Sequence, residues 1–234
     1  MEVDKKELTE HLKLIHAGGL IRDCVIGDGF TSVALAEDSG FMVAVEGRED
    51  FGSFGGQVGI LDLSLVISAL QKIQGPVVNV EYENNRLVLS AENTLFNLLT
   101  CDPQYVSTNK NQDHFETFLQ YADANSVCSF SPSYGFVDRY TDAYSIIQSD
   151  ATYVNVTPDG TQFVIGHHSE NESVLEEDKP VHSEPFSVRL SSGVLNTALK
   201  TLAGETMIFT GEDAIVELST KEREYRYIIS PISE

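Results

Sequence analysis

A chain of 234 residues has room for one large domain or for two of roughly 100 to 120 residues, each with its own core. Its 36 acidic residues against 15 basic ones give a net charge of -21, which excludes a polyanionic partner unless the few cations are gathered on one surface. The charged start from Met1 to Glu10, the lack of any run of ~18 apolar residues, and three cysteines without a C-x-x-C spacing lead to the expectation of a soluble, intracellular protein with no membrane partner, disulfide framework, metal or cofactor.

The first predicted element is an amphipathic helix from about Asp4 to Ala17, with Leu8, Leu12 and Ile15 inward, Lys6, Glu10 and Lys13 outward and Lys5 on the flank. Alternating strands follow around a hairpin turn at Asp28-Gly29, and then a glycine-rich stretch, Gly52 to Gly59. A second helix, Leu61 to Gln74, stripes Leu63, Val66, Ile67, Leu70 and Ile73 against Ser64, Ser68, Gln71 and Lys72. Gly75 closes it, and two strands around an acidic turn lead into a third that ends near Pro103. Gln104 to Asn125 reads as a long connector, polar at first and then carrying Phe115, Phe118, Leu119 and Tyr121. A disordered linker has little use for such aromatics, so a functional connector is expected.

The same order then recurs. A helix from about Pro132 to Gln148 puts Phe136, Val137, Tyr140, Tyr144 and Ile147 inward and shows Asp138, Asp142 and Ser145, with Arg139 on the flank. Strands around Asp159-Gly160 lead to a helix after Ser191 that stripes Val194, Leu195, Ala198, Leu199 and Leu202 against Asn196, Thr197 and Lys200. Gly204 closes this helix, and strands run on to Pro231. Asp62 to Pro103 lies beside Leu190 to Pro231 at a shift of about 129 residues, and the two hairpin turns fall in register. The reading is an α+β chain with two similar domains, 1-103 and 126-234, each with two helices packed on antiparallel sheet, joined by the connector 104-125.

The four helical segments hold six basic and six acidic residues, and the remainder holds nine and 30, so all the net negative charge lies off the helices. Helices that face something polyanionic while sheets face solvent would give this partition. A neutral to weakly basic surface binds DNA loosely through phosphates, without base readout. The plainer reading is lysines on a solvated helix face.

No catalytic constellation emerges. Gly52 to Gly59 lacks the G-K-[ST] ending of a phosphate loop. His167 and His168, near Glu170 and Glu172, are adjacent on a strand and would point to opposite faces, which is a poor metal site. Asn171-Glu172-Ser173 matches a glycosylation sequon with no secretory signal to expose it. Cys101 and His114 are too weakly placed for nucleophile and base. A hydrolase using surface carboxylates has no paired-carboxylate motif behind it.

The repeat, the acidic exterior and the stretches SPSYGFVDRYTDAYSIIQSDATYVNVTPDGTQFVIG, GILDLSLVISALQKIQ and YRYIISPIS resemble the DNA polymerase sliding clamps of the proliferating-cell-nuclear-antigen type, most closely the tailed-bacteriophage version. The resemblance implies the DNA-clamp fold and a homotrimeric ring of six domains, with helices lining a pore around duplex DNA, no enzyme activity and no cofactor. It implies a processivity factor with a DNA polymerase and a clamp loader as partners, transcription factors too in a phage setting, and residence in the host cytoplasm. By position it makes Lys6, Lys13, Ser68, Gln71, Lys72, Arg139, Asn196 and Lys200 pore-facing, and it puts Met42, Leu119, Tyr121, Ile228 and Pro231 around the partner pocket. It also makes Ser169 to Asp178 the expected home of an edge strand at the subunit interface. Few of the lining residues are basic, and Asp138 and Asp142 on the third helix depart from a DNA-binding pattern. The alternative within the same fold is an interaction module outside any homotrimer, either a checkpoint-type hetero-ring subunit or a monomeric processivity factor.

Overall fold

The computed structural model describes residues 1–27, 32–38, 41–47, 51, 56–106, 117, 120–121, 128–167, 169–177, 185–204, 206–209, 216–220 and 224–232. The chain divides into two compact units: Met1–Ala36 with Val45–Phe115, and Glu37–Ala44 with Glu116–Glu234. The first half runs β1 (Glu2–Asp4), α1 (Lys5–His16), β2 (Cys24–Ile26), β3 (Ser32–Asp38), β4 (Phe41–Gly47), β5 (Val58–Ile60), α2 (Leu63–Lys72), β6 (Val77–Glu83), β7 (Arg86–Ala91) and β8 (Thr94–Leu99). The second runs β9 (Cys128–Phe130), α3 (Tyr134–Ile147), β10 (Ala151–Thr157), β11 (Gly160–Ile165), β12 (Ser173–Glu177), β13 (Phe186–Ser191), α4 (Ser192–Thr201), β14 (Thr206–Phe209), β15 (Val216–Ser219) and β16 (Tyr225–Ile229). Element for element the two series match, so the repeat read from the sequence is a repeat of structure.

The strand quartets repeat as well. In the first half, β1-β6-β7-β8 forms one sheet and β5-β2-β3-β4 lie side by side; their counterparts in the second half are β9-β14-β15-β16 and β13-β10-β11-β12. Among the described residues the ladders between these strands are antiparallel, as in β6 with β7 (Val80 opposite Leu89) and β10 with β11 (Val154 opposite Phe163). The Ser169 to Asp178 run does contain an edge strand: β12 pairs with β11 and ends its sheet. The turn between β6 and β7 is made by Asn84 and Asn85 at φ 49° and 59°, asparagines rather than acids, because a short amide tolerates the left-handed region that tight hairpins require.

Capping fixes where the helices start. Asp4 accepts from the N–H groups of Lys6 and Glu7, Asp62 from Leu65, and Ser133 from Phe136. Each of the two shorter helices is followed by a glycine in the left-handed region, Gly75 at φ 87° and Gly204 at φ 81°, which lets the chain reverse into the next strand. The inward stripes are buried as expected at Leu8, Leu12, Ile15, Leu63, Val66, Leu70, Phe136, Tyr140, Val194, Leu195 and Leu199, while Tyr144 and Ile147 are only half-buried. No described helix is long and apolar enough to cross a membrane.

Three buried polar features lie in these cores. Tyr140 shares a hydrogen bond of 2.6 Å with Thr152, which shares another of 2.8 Å with Ser192, so α3, β10 and the start of α4 are tied together. Burial pushes the Tyr140 phenol up, against the opposing effect of these hydrogen bonds. On β15 and β16, Arg226 donates to both oxygens of Glu217, at 3.2 and 2.9 Å, with the carboxylate fully buried. In unit 1, His11 is buried on α1 and meets the Phe51 ring edge-on at a centroid distance of 5.5 Å.

Two stability predictions follow from these features. Arg226→Met leaves the Glu217 carboxylate buried without its partner and should cost on the order of 3–5 kcal/mol in urea unfolding, while Glu217→Leu combined with Arg226→Met should recover most of it. A single variant as stable as the wild type would mean the pair is not desolvated. Burial pulls His11 from 6.5 down to about 4, so the unfolded chain takes up a proton that the folded chain refuses. The stability concerned is present above pH 6.5 and lost as pH falls towards 4, amounting to about 3 kcal/mol. The urea midpoint of His11→Phe should therefore fall less steeply across that window than that of the wild type.

Candidate nucleic-acid interface

In unit 1 the two helices run antiparallel, pinned at both ends. Lys5 on the first turn of α1 donates from Nζ to the Ile73 carbonyl at the end of α2, at 2.9 Å. At the other end the His16 ring Nε2 lies 2.9 Å from Ser64 Oγ on the first turn of α2. Burial lowers the His16 pKa and Asp62 partly opposes that effect. The inward stripes of both helices are committed to the core, so their opposite faces form one outward surface. Lys6, Lys13, Ser68, Gln71 and Lys72 are all exposed on it. Lys6 is 3.9 Å from Glu10 one turn on, whereas Lys13 and Lys72 form no hydrogen bond or ion pair among the described residues.

The helix pair of unit 2 repeats this arrangement with different chemistry. A Cβ added at Gly204 would meet the Tyr134 ring at 3.0 Å, and one added at Gly193 would meet the Tyr144 hydroxyl at 3.1 Å, so α3 and α4 are also antiparallel and in close approach at both ends. Between those contacts Thr141 Oγ1 donates to Asn196 Oδ1 at 3.0 Å. Asn196 thus joins the two helices, and only part of its side chain faces out. Arg139 is turned towards β12, 3.8 Å from Glu177. Lys200 is exposed, as are Asp138 and Asp142.

The five residues assigned to the partner pocket are placed unevenly. Ile228 is fully buried in β16, Pro231 is half-buried just beyond it, and Tyr121 is helical and half-buried. Leu119 and the Met42 side chain lie outside the described residues, as do Asp28-Gly29, Phe115, Phe118, His114 and His168. His167 approaches Glu172 at 3.5 Å. Cys24 is buried and Cys101 half-buried, the latter with its Sγ 3.7 Å from the Gly59 carbonyl.

Two contributions to this surface had no clear signal in the sequence. Lys5 sits on the flank of α1 by periodicity, yet it caps α2. Leu65 is 53% exposed on the outward side of α2 and Leu61, just before the helix, is 42% exposed, and an apolar residue gives no hint of such an orientation.

No protein-family model matches the sequence, nor does any curated protein. Solved structures do. The DNA polymerase III beta subunit of Pseudomonas aeruginosa superposes with a TM-score of 0.71 at 11% identity, and that of Thermotoga maritima with 0.69 at 13%. Both matches cover 100% of this chain and 64% of the bacterial subunit, so the chain spans under two thirds of those proteins. The PCNA of A. fulgidus, solved with the C-terminal region of FEN-1 bound, gives 0.66 at 14% identity over 100% of this chain and 98% of that one. At such identities the likeness is one of fold, and the fold is that of the sliding clamps.

Because Asn196 bonds Thr141, Asn196→Ala should act on stability, lowering the free energy of unfolding by about 1 kcal/mol in urea titrations. An unchanged midpoint would free Asn196 from its structural role.

Proposed function

We propose that the chain is a DNA polymerase processivity factor, a sliding clamp whose copies close into a homotrimeric ring around duplex DNA. The domains are 1-103 and 126-234, with 104-125 connecting them. The observation that carries this reading is the pairing of strands within the repeat. In unit 2, β16 has β4 as its sheet neighbour, with Phe41–Ala44 of β4 belonging to that unit. The counterpart of β16 in the first half is β8, and the counterpart of β4 in the second half is β12. Both β8 and β12 end their sheets. Setting β8 of one copy against β12 of the next repeats an interaction the chain already uses and leaves neither edge open.

The side chains support that contact. Leu95 and Leu99 on β8 are 61% and 65% exposed, and Val174 on β12 is 48% exposed. An edge strand with two bare leucines is a liability unless something covers it. The likeness to PCNA over almost its whole length adds to this, as does the outward helix surface, whose lysines suit loose, sequence-independent phosphate contact. Lys6, Lys13, Ser68, Gln71, Lys72, Arg139, Asn196 and Lys200 face the DNA in this proposal. Met42, Leu119, Tyr121, Ile228 and Pro231 mark where a polymerase docks, with a clamp loader as the second partner and, for a phage protein, transcription factors as a third. The protein performs no chemistry and works in the cytoplasm beside the duplex it holds.

Light scattering at micromolar concentration should give about three times the 25.8 kDa chain mass. Leu95→Asp with Leu99→Asp sets new carboxylates against the edge that carries the exposed Glu176 of β12 and should return the mass to that of one chain, with the fold intact by circular dichroism. A wild-type protein that scatters as a monomer removes the ring and favours a monomeric module of the same fold.

A further inference from the structure

We infer that, within the DNA-facing surface, the α1–α2 pair of unit 1 holds the phosphates and the α3–α4 pair of unit 2 does not. The inference rests on the clamp reading above and narrows it, since all four helices were given to the DNA there. The difference lies in which charges are outward and which are already spent.

On α1, Lys6 and Lys13 are seven residues apart, two turns, so they point the same way at a separation of about 10 Å along the axis. That is the centre of the outward face, opposite Leu8, Leu12 and Ile15. Lys72 adds a third exposed cation on α2, and among the described residues only Lys6 of these three has an ion-pair partner, Glu10 at 3.9 Å in solvent, a pair too weak to withhold it from a phosphate. The equivalent centre of α3 carries Asp138 and Asp142, four residues apart and both exposed, opposite Phe136, Val137 and Tyr140. Arg139 lies off that centre and is 3.8 Å from Glu177, whose side chain is only 19% exposed and so holds its cation more firmly than the solvated Glu10 holds Lys6, and Asn196 is bonded to Thr141. Lys200 is what remains. A phosphate approaching unit 2 meets two carboxylates and, besides Arg139, one exposed cation, while one approaching unit 1 meets Lys6, Lys13 and Lys72 with Glu10 as the single carboxylate among them.

The test uses the full-length protein and a fluorescent blunt 30-base-pair duplex, followed by anisotropy across a salt series. Lys13→Glu with Lys72→Glu should weaken binding by roughly tenfold or more at low salt and reduce the log–log salt slope by about two. Arg139→Glu with Lys200→Glu should stay within about twofold of the wild type, and Asp138→Asn with Asp142→Asn should tighten binding. Solution mass and thermal unfolding confirm that each variant keeps its fold and assembly. Equal losses from both cation pairs would overturn the division between units while leaving the clamp reading in place. Loss from neither pair would sink both, because then no helix face touches the duplex. A duplex that ignores the two asparagines would show that Asp138 and Asp142 do not keep phosphates away.

Discussion

The rest of the structure depends on the burial of one stripe along each helix. Four or five apolar side chains per helix, such as Leu8, Leu12 and Ile15 on α1 or Val194, Leu195 and Leu199 on α4, go against the strands. At about 1.5–3 kcal/mol for each buried side chain of that size, no rotation that exposes them is affordable. The orientation of the opposite face is thereby settled. Lys13, Lys72 and Lys200 are outward because the leucines and valines beside them are inward, and their own charge contributes little to the choice. A function that needs a row of weakly basic side chains on one surface can therefore be laid on the fold at almost no cost in stability.

The second constraint is the open sheet edge. An antiparallel ladder satisfies backbone N–H and C=O groups everywhere except along its end strands, and four of the end strands of the repeated quartets are β4, β8, β12 and β16. Two of them, β4 and β16, are neighbours. Their counterparts, β12 and β8, face outward with opposite character: β8 has no charged residue between Thr94 and Leu99, whereas β12 ends in Glu176 and Glu177. Each differs from the other enough to disfavour self-pairing, β12 with β12 above all, where carboxylates would meet. Closure by unlike edges fits a cyclic assembly better than a two-fold dimer. The buried Glu217–Arg226 pair lies on β15 and β16, which are covered on both faces, so this part of unit 2 resembles the middle of a larger sheet rather than its border.

Much of this was legible in the sequence because it is periodic. Helical stripes, the glycines after α2 and α4, and the hairpin at Asp159-Gly160 all follow from local rules, and their recurrence at a constant shift doubles the signal. Helix ends were less well placed: the second helix begins at Leu63 rather than Leu61, because the Asp62 side chain caps it and turns Leu61 out of the helix. What periodicity cannot convey is the use of a polar group once it is in place. Asn196, read as outward, is half claimed by Thr141; Arg139, read as flanking, leans to Glu177; Lys5 reaches across to a carbonyl on another helix. These are contacts between residues 38 to 68 positions apart, and nothing in the neighbouring sequence announces them. Ile228 illustrates the converse, since an isoleucine in a terminal strand suits a groove lining or a core equally, and its full burial puts it in the core of unit 2.

The large negative charge is better understood together with these placements than as an obstacle to DNA. Phosphate affinity scales with the number of cations presented, at a slope of about 0.9 per neutralised phosphate, so a handful of lysines gives contact that salt readily loosens. A protein that must stay on a duplex without stopping needs that weakness, provided something else prevents escape. Topology can supply the retention that charge does not. In the ring proposed above, the 30 acidic residues off the helices would have a complementary effect, repelling a duplex from the surfaces away from the helices. Specificity for the inside of that ring would arise from subtraction: an exterior made hostile, and a lining that needs only to be tolerable.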